Sequence, residues 1–599
     1  MKNNKPDEYY KERITGLSST ISRLKKKALL LSWLRFFSFL SIIGLGWWLW
    51  PMGLVVAFAG ILAGLILFAF IVNRDLDNKA LLENNNRLLD ICRNEELALK
   101  HQYYQFTDGA AFSDPHHPYA HDLDLFGHAS IYQYVNRTRS EQGARLLADW
   151  VLEPATKNVI IDRQNAVAEL SQLPGWNEQL QSFGNTGKIT QKAETQIHEW
   201  MAEPNRVLHH TGWKMTRFLF PVISLTWLIL YLIDQLSESL FLTGLTFILA
   251  ITLLITKKLM PAWIKLGRIS KEMEGFADSI RHIETAPFKN DLLKKHQVVF
   301  KDVNAASASS QIDALKKIMD RLDYRLNPVV FIPLSVFLCW DLQQVFALEK
   351  WKKLNHEGIR HWFLALAEME ALSSLGVLRF NHTDWVFPVI EEQTCFAATS
   401  LGHPLIPPGK RVNNDFSTTG DGVINLVTGS NMAGKSTFLR SCGVNIVLAM
   451  AGAPVCASSM KLSPLRVMSS MRISDNLEES TSTFYAELKK LKAIIEAVNA
   501  KEKVFLLLDE ILRGTNSGDR HTGSKALIHQ LIAQQATGIV ASHDLELAKL
   551  KDSYPQQLIN YHFDVRIDKE ELYFDYKLKE GVCQSMNASL LMKKIGIRM

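Results

Sequence analysis

The sequence predicts an α/β P-loop domain at its C-terminal end and an all-α remainder that carries transmembrane helical hairpins. Three observations carry this reading. An apolar run at 423–428 leads into Gly429, Ser430, Asn431, Met432, Ala433, Gly434, Lys435, Ser436 and Thr437, which is GxxxxGK[ST] between a strand and a helix. A second apolar run, following Lys503 at 504–508, ends on Asp509 and Glu510. Near the other terminus, residues 52–72 carry no charge over a length sufficient to span a bilayer.

Taken in chain order, the first element is a hairpin of two spans. Residues 36–50 are apolar apart from serine and glycine, and 29–34 extend that run backwards past Arg35. Trp47, Trp48 and Trp50 stand beside Pro51 at the join, as aromatic residues do at a membrane interface. The apolar region starts late and continues straight into a second span, which does not suit a cleavable signal peptide. A second hairpin follows at 218–233 and 240–255. Its segments are short for a span, and burial as core helices is the competing expectation.

Both hairpins have basic feet. Arg23, Lys25, Lys26, Lys27 and Arg35 precede the first and Arg74 follows it; Lys214 and Arg217 precede the second, with Lys257 and Lys258 after it. The connecting turns hold no lysine or arginine. The positive-inside rule therefore predicts a multi-pass protein of the inner (cytoplasmic) membrane with its soluble parts in the cytoplasm. The expected segments are an N-terminal helix at 1–28, a hairpin at 29–74, a helical region at 75–213, a second hairpin at 214–258, further helices at 259–400, and the α/β domain at 401–599.

Between these landmarks, 76–105 has helical spacing, and 265–325 and 341–377 carry mixed apolar and charged residues at helical period. The run 329–340 is about a dozen residues with Pro333 inside, and is expected to be buried core. Residues 108–121 read as a loop. His116, His117 and His121 in it lack an acidic or cysteine partner at ligand spacing, so a metal site is not expected there. Residues 561–576 alternate as strands, and 590–597 read as a closing helix.

The bulk composition agrees. The chain has 599 residues, enough for several domains, and 47% of them are hydrophobic. Its formal charge of +6 is modest, and the hairpin feet contribute visibly to it, so it is weak evidence for nucleic acid. The six cysteines are scattered without CxxC spacing, which suits a reducing cytoplasm rather than zinc or a disulfide framework.

The α/β segment carries the chemistry. Glycines at 429 and 434 let backbone N–H groups fold around a triphosphate, Lys435 can reach its β- and γ-phosphates, and Ser436 can put a hydroxyl on Mg²⁺. The helix that follows points its positive end at the phosphates. The run 504–508 suits a central parallel strand. Asp509 at its end would hold Mg²⁺, and Glu510 would orient and deprotonate an attacking water. A third strand, 538–542, ends in His543, where a γ-phosphate sensor would stand. Between these strands, Ser482 and Thr483 can cap the next helix, with Glu487 in its first turns.

Four stretches, TGSNMAGKSTFLR, SDNLEESTSTFYAEL, LLLDEILRGTNSGDR and VASHDLEL, resemble in order and spacing the ATPase domain of the MutS family, ATP-binding-cassette relatives from DNA mismatch repair. The resemblance covers residues of about 400 to 599. It implies ATP and Mg²⁺ as cofactors, a homodimer through the ATPase domains, and duplex DNA as partner. It also implies that Ser482 reaches across the dimer to the partner's nucleotide, and that the loop of Asn516 lies at that interface. Two positions depart from the family pattern: Ser480 and Ala433 stand where glycine is usual. Phe416 falls where the family places an aromatic against adenine, although a phenylalanine ahead of a strand also suits a core.

Further upstream, the stretches beginning at Asp122, Gly143 and Arg163 resemble the start of the family's helical core and lever. A mismatch-reading domain and a Phe-x-Glu wedge ahead of the lever are not found, so mismatch specificity does not follow. The alternative is an ABC-type membrane motor or transporter that does not act on DNA. The spans favour it, and the missing LSGGQ-type signature opposes it. A scaffold with a dead nucleotide site is disfavoured by Lys435, Ser436, Asp509, Glu510 and His543 all being present.

Overall fold

The computed structural model describes residues 5–205, 207–266, 270–301, 307–430, 433–472, 483–568 and 571–583. The chain forms two compact units. The first comprises Met1–Gln102, Gly175–Ala286 and Phe300–Arg360; the second comprises Tyr103–Pro174, Pro287–Val299 and His361–Met599. The segments expected at 75–213 and 259–400 are each divided between these units, because residues 103–174, 287–299 and 361–400 group with the α/β part. The expected closing helix at 590–597 lies outside the described residues.

The first unit is helical. Pro6–Leu49 and Leu54–Leu99 form an antiparallel pair joined at Trp50–Met52, with no break at residue 28. Proline at the first helical position, with Asp7 and Glu8 in the first turn, starts the pair in the preferred way. The helices approach closely because Gly64 has no side chain: a Cβ there would lie 2.8 Å from Ile42 Cγ1. At the foot, buried Asp75 accepts from Arg35 at 3.0 Å and Lys79 at 3.2 Å. Beyond that pair the apolar side chains face outward, Trp47 at 83% exposure among them.

The second hairpin consists of Thr211–Leu232 and Glu238–Leu266. Its helices are longer than the apolar segments alone, because the basic feet continue the helical turns. Tyr231 and Phe241 stack at 4.1 Å near the connecting turn. Among the described residues, four helices are long and apolar enough to cross a membrane, or five if the bent pair Pro328–Leu338 and Trp340–Asn355 counts as one.

That bent pair corrects an expectation. Only the C-terminal half of the run 329–340 is buried core, with Ser335, Val336 and Cys339 covered; Val329 is 82% exposed, and Val330 and Ile332 are exposed as well. The helix Pro328–Leu338 packs on both helices of the second hairpin, which hold its C-terminal half. The stretches of helical period at 265–325 and 341–377 form several helices, Ser270–Glu284, Asp291–Lys301, Ala308–Leu322, Trp340–Asn355 and Gly358–Asn381.

Among its described residues the second unit holds ten strands: β1 (Val389–Ile390), β2 (Cys395–Leu401), β3 (Asn414–Thr419), β4 (Ile424–Thr428), β5 (Ser459–Leu462), β6 (Arg466–Ser470), β7 (Val504–Asp509), β8 (Thr537–Ser542), β9 (Leu558–Asp568) and β10 (Glu571–Glu580). A smaller sheet has the order β1-β5-β2-β3, and the larger one β10-β9-β4-β8-β7-β6. The larger sheet is parallel except for the β9–β10 hairpin, which the alternation at 561–576 predicts. Strands β4, β7 and β8 are buried at every position, as near-continuous apolar runs require. Their C-terminal ends lie side by side and carry Gly429, Asp509 and His543.

Residues 103–174 add short helices to this unit. Ser140 caps Glu141–Leu152 by accepting from Gly143 N at 2.9 Å, while its hydroxyl donates to Glu370 at 2.5 Å. His117 Nδ1 accepts from Ala120 N at 3.2 Å, so that ring shapes the loop. Among the described residues no group of three His, Cys, Asp or Glu could hold a metal ion.

Candidate functional site

Strand β4 ends at Thr428, and the chain turns through Gly429 (φ 147°) to Gly434 (φ 104°), a backbone that L side chains rarely adopt. The helix Lys435–Ala451 begins there with no side chain capping it, so its first N–H groups remain available to an anion. Asn431 and Met432 lie outside the described residues, as does Ser482. Ala433, at the position where glycine is usual, is buried and donates to Ser430 O at 3.3 Å.

Lys435 is the hub of this turn. Its Nζ donates to Gly429 O at 2.8 Å and Ser430 O at 3.0 Å, and lies 3.4 Å from His543 Nδ1. Burial pulls its pKa down, against the charges of Glu510 and Asp509. Ser436 Oγ donates to Asp509 Oδ2 at 2.5 Å. Asp509 Oδ1 is buried without a hydrogen-bond partner, which is an open acceptor position beside a hydroxyl. Thr437 lies on the cavity wall beyond it.

Glu510 stands at the next position with φ 51°, its N–H donating to Ala541 O at 2.9 Å. Its carboxylate meets His543 Nε2, and Arg513 Nε is 3.2 Å away. The hydrogen bond from His543 holds the Glu510 carboxyl below its ordinary range; partial burial opposes this, and the charges of His543, Arg513 and Lys435 reinforce it. His543 Nδ1 is 2.8 Å from Gly429 O, so one ring bridges the glycine turn and the acidic strand end. The expected catalytic trio of Lys435, Glu510 and His543 is therefore brought together.

The loop after Glu510 is held by a residue that the sequence suggested for a different role. Glu487, expected in the first turns of its helix, is buried and accepts from the backbone of Leu512 and of Arg513, the latter at 3.2 Å. Arg513 itself reaches back to Asp509 O at 3.4 Å. Asn516 then caps Ser517–Ala533, accepting from Asp519 N at 2.9 Å.

A cavity of about 450 Å³ opens beside the helix start, lined among others by His403, Ile406, Arg411, Ser436, Phe438 and Tyr576. Phe416 is not in its wall. It is only 3% exposed, packed against Phe396, Phe438 and Tyr561 in the inward register of β3. The suggestion that Phe416 meets an adenine is thereby corrected: its ring is core. The exposed aromatic at the cavity is Tyr576 (φ 51°), in a register shift of β10 between Phe574 and Leu578. Asn414 pins that shift, donating to Tyr576 O at 3.1 Å and accepting from Leu578 N at 2.8 Å. The Tyr576 ring then lies over Gly434, 3.1 Å from where a Cβ would stand.

A second junction ties residues 120–124 to the same sheet. Buried Asp122 accepts from Ser469 Oγ at 2.7 Å, Met471 N at 3.1 Å and Arg472 N at 3.1 Å, with Lys490 Nζ at 3.3 Å. Asp124 pairs with Arg472, and with Arg440 at 3.4 Å. Arg440 lies on the helix that starts at Lys435, and Lys490 on the helix of Glu487.

Comparison with known proteins adds relatives to this geometry. Residues 120–326 match MutS domain III, and residues 425–594 match MutS domain V. The DNA mismatch repair protein MutS of Thermotoga neapolitana is 25% identical over 491 residues, covering 76% of this chain and 59% of that protein. The DNA mismatch repair protein MSH3 of Phaeosphaeria nodorum is 31% identical over 38% of this chain and 21% of its own length. Human MutS protein homolog 4 is 32% identical over 40% of this chain and 26% of its own. The chain thus spans less than two thirds of the length of these relatives, and its first hairpin lies outside both matched domains.

Proposed function

The chain belongs to the MutS family, and from that premise we propose that it is a membrane-tethered, dimeric ATPase that acts on duplex DNA. MutS family proteins are ATPases, and the observation that carries the reading here is the meeting of five side chains. Lys435, Ser436, Asp509, Glu510 and His543 converge at the ends of β4, β8 and β7, three adjacent parallel strands. Open α/β sheets bind ligands at such strand ends.

The residues fit ATP with Mg²⁺. Ser436 Oγ and the unpartnered Asp509 Oδ1 would hold the ion, which supplies neutralisation of phosphate charge when bound. Lys435 would exchange its two carbonyl partners for phosphate oxygens, and the uncapped helix start offers N–H donors beside it. Glu510, kept ionised by His543, takes the proton of the attacking water. His543 bridges the base and the glycine turn, so it senses what occupies that turn. Tyr576, rather than Phe416, is the ring available to a nucleotide base in the cavity. Ser482 acts across the dimer in this reading, as the family resemblance implies.

The tether is proposed from the four helices of spanning length and their basic feet. DNA is proposed from the matched domains and the named activity of the relatives. The test is the ATPase rate of the full detergent-solubilised chain, alone and with homoduplex, mismatched or branched DNA. A rate that responds to one of these duplexes is the expected result. Hydrolysis that is indifferent to all of them would turn the reading towards a membrane motor that does not use DNA.

A further inference from the structure

The helix Pro328–Leu338 contains one polar side chain, Ser335, in eleven residues. It starts cleanly, with Pro328 at the first position and Asn327 Oδ1 accepting from Val329 N at 3.1 Å. It ends at Cys339 in the left-handed region (φ 48°), where the chain bends by 80° into Trp340–Asn355. Its C-terminal half is fastened to the second hairpin: Ser224 Oγ donates to Phe337 O at 2.9 Å, and Thr252 Oγ1 to Ser335 O at 3.3 Å. The N-terminal half is bare, with Val329 and Ile332 exposed and Leu326, just before the helix, at 72% exposure.

The C-terminal end of this helix is marked by polar and aromatic groups at a single level. Arg325 pairs with Asp341 at 2.8 Å, and Asp341 accepts from Thr256 at 2.6 Å. Tyr324 stacks on Trp340 at 6.1 Å, and Trp340 Nε1 donates to Arg321 O at 2.8 Å. Arg217, a foot of the second hairpin, donates to Gln343 at 2.6 Å. Arginine, tyrosine and tryptophan gathered at the foot of an apolar hairpin are the composition of a membrane interface. The chain therefore leaves this level at Tyr324, turns at Asn327, and comes back to it at Trp340.

We infer that Leu326–Leu338 is a re-entrant wedge that dips into the hydrocarbon of one leaflet beside the second hairpin; this rests on the proposed membrane tether. Eleven helical residues rise roughly 16 Å, about half of a hydrocarbon core of about 30 Å. A full crossing is excluded by the second unit itself. Residues before the hairpin and after the wedge contact each other there, as Asp122 with Ser469 and Ser140 with Glu370. The hairpin crosses twice, so one further crossing would put these partners on opposite sides. Lipid acyl chains, continuous with those around the hairpin, are the occupant that covers Val329 and Ile332. The wedge would make the helices 308–322 and 340–355 on either side of it move with the bilayer surface.

The test places an environment-sensitive fluorophore on single cysteines in the full chain, in vesicles of phosphatidylethanolamine and phosphatidylglycerol, with labelling of the wild-type chain subtracted. Val329→Cys reports the wedge, Ile229→Cys the hairpin, and Glu357→Cys the aqueous side. Val329 and Ile229 should both be quenched severalfold more by acyl-chain nitroxide lipids than Glu357, and be shielded from iodide. Iodide quenching at Val329 with lipid quenching at Ile229 overturns the wedge and leaves the hairpin standing. Iodide quenching at both sites overturns the wedge and the tether together. Shielding of Val329 from both quenchers would mean that a second copy of the chain covers it, and also overturns the lipid assignment.

Discussion

Strand β7 and the helix through 54–72 are both unbroken apolar runs, yet the molecule uses them in opposite ways. Every residue of β7 is buried, covered on both faces and flanked by β8 and β6, whereas Ile66 and Leu67 on the hairpin helix are open to the surroundings. Apolarity alone does not separate the two cases. Length and end chemistry do: five apolar residues followed by two carboxylates form a ligand-presenting strand end, and a charge-free stretch between arginines at positions 35 and 74 forms the two limbs of a hairpin. One run is a core that positions chemistry, the other a surface that selects a solvent.

The largest test of that contrast is at the strand edge. Glu510→Gln should keep ATP binding, because Lys435, Ser436 and Asp509 are untouched, while hydrolysis falls by roughly 10²–10⁴-fold. Steady-state turnover and nucleotide binding on the same preparation measure both. Near-normal turnover would sink the assignment of Glu510 as base, and would leave β7 an ordinary core strand with a polar end.

A smaller effect separates the two apolar runs directly. Leu506→Ala removes a fully buried side chain and should cost about 2–5 kcal/mol. Ile66→Ala, on the exposed side of the hairpin, should change stability in detergent by no more than about 0.5 kcal/mol. Thermal melting of both variants compares them. Equal losses would break the comparison, since they would mean that Ile66 is covered by protein.

What was legible in the sequence divides along the same physical line. The glycine turn, Asp509, Glu510 and His543 could be read because each sits at the end of a contiguous apolar strand, where local pattern fixes position. Tyr576, Arg513 and the role of Glu487 could not, because their places depend on pairings between distant segments. Tyr576 reaches Gly434 only through the register shift that Asn414 pins from another strand. Phe416 was open to two readings until the register of β3 turned it inward. The helix Pro328–Leu338 looked like core because a short apolar run with a proline is the usual composition of one. Its exposure follows from the packing of the second hairpin, which covers the C-terminal half and leaves the first turns bare.

The smallest expected effect concerns His403 in the cavity wall, and it is a difference in slope. Burial, helped by the charge of Arg440, pushes its imidazole down to about 4, while the unfolded chain titrates near the ordinary value of about 6.5. Between these values the unfolded state binds a proton that the folded state refuses. Stability is therefore full above about pH 6.5 and falls as the pH drops towards 4. Glu510 has the opposite character: its carboxyl is depressed, so what it contributes is present above the ordinary glutamate value of about 4.3 and is lost as the pH falls from there through its folded value. His403→Gln should accordingly flatten the loss of melting temperature between neutral pH and pH 5. It should not abolish it, because His296 in the same unit is also pushed down to about 4 by burial. Melting curves of wild type and variant across that range decide the matter. Parallel curves would mean that His403 titrates freely in the open cavity, so that the wall facing Tyr576 is wetter than its packing implies.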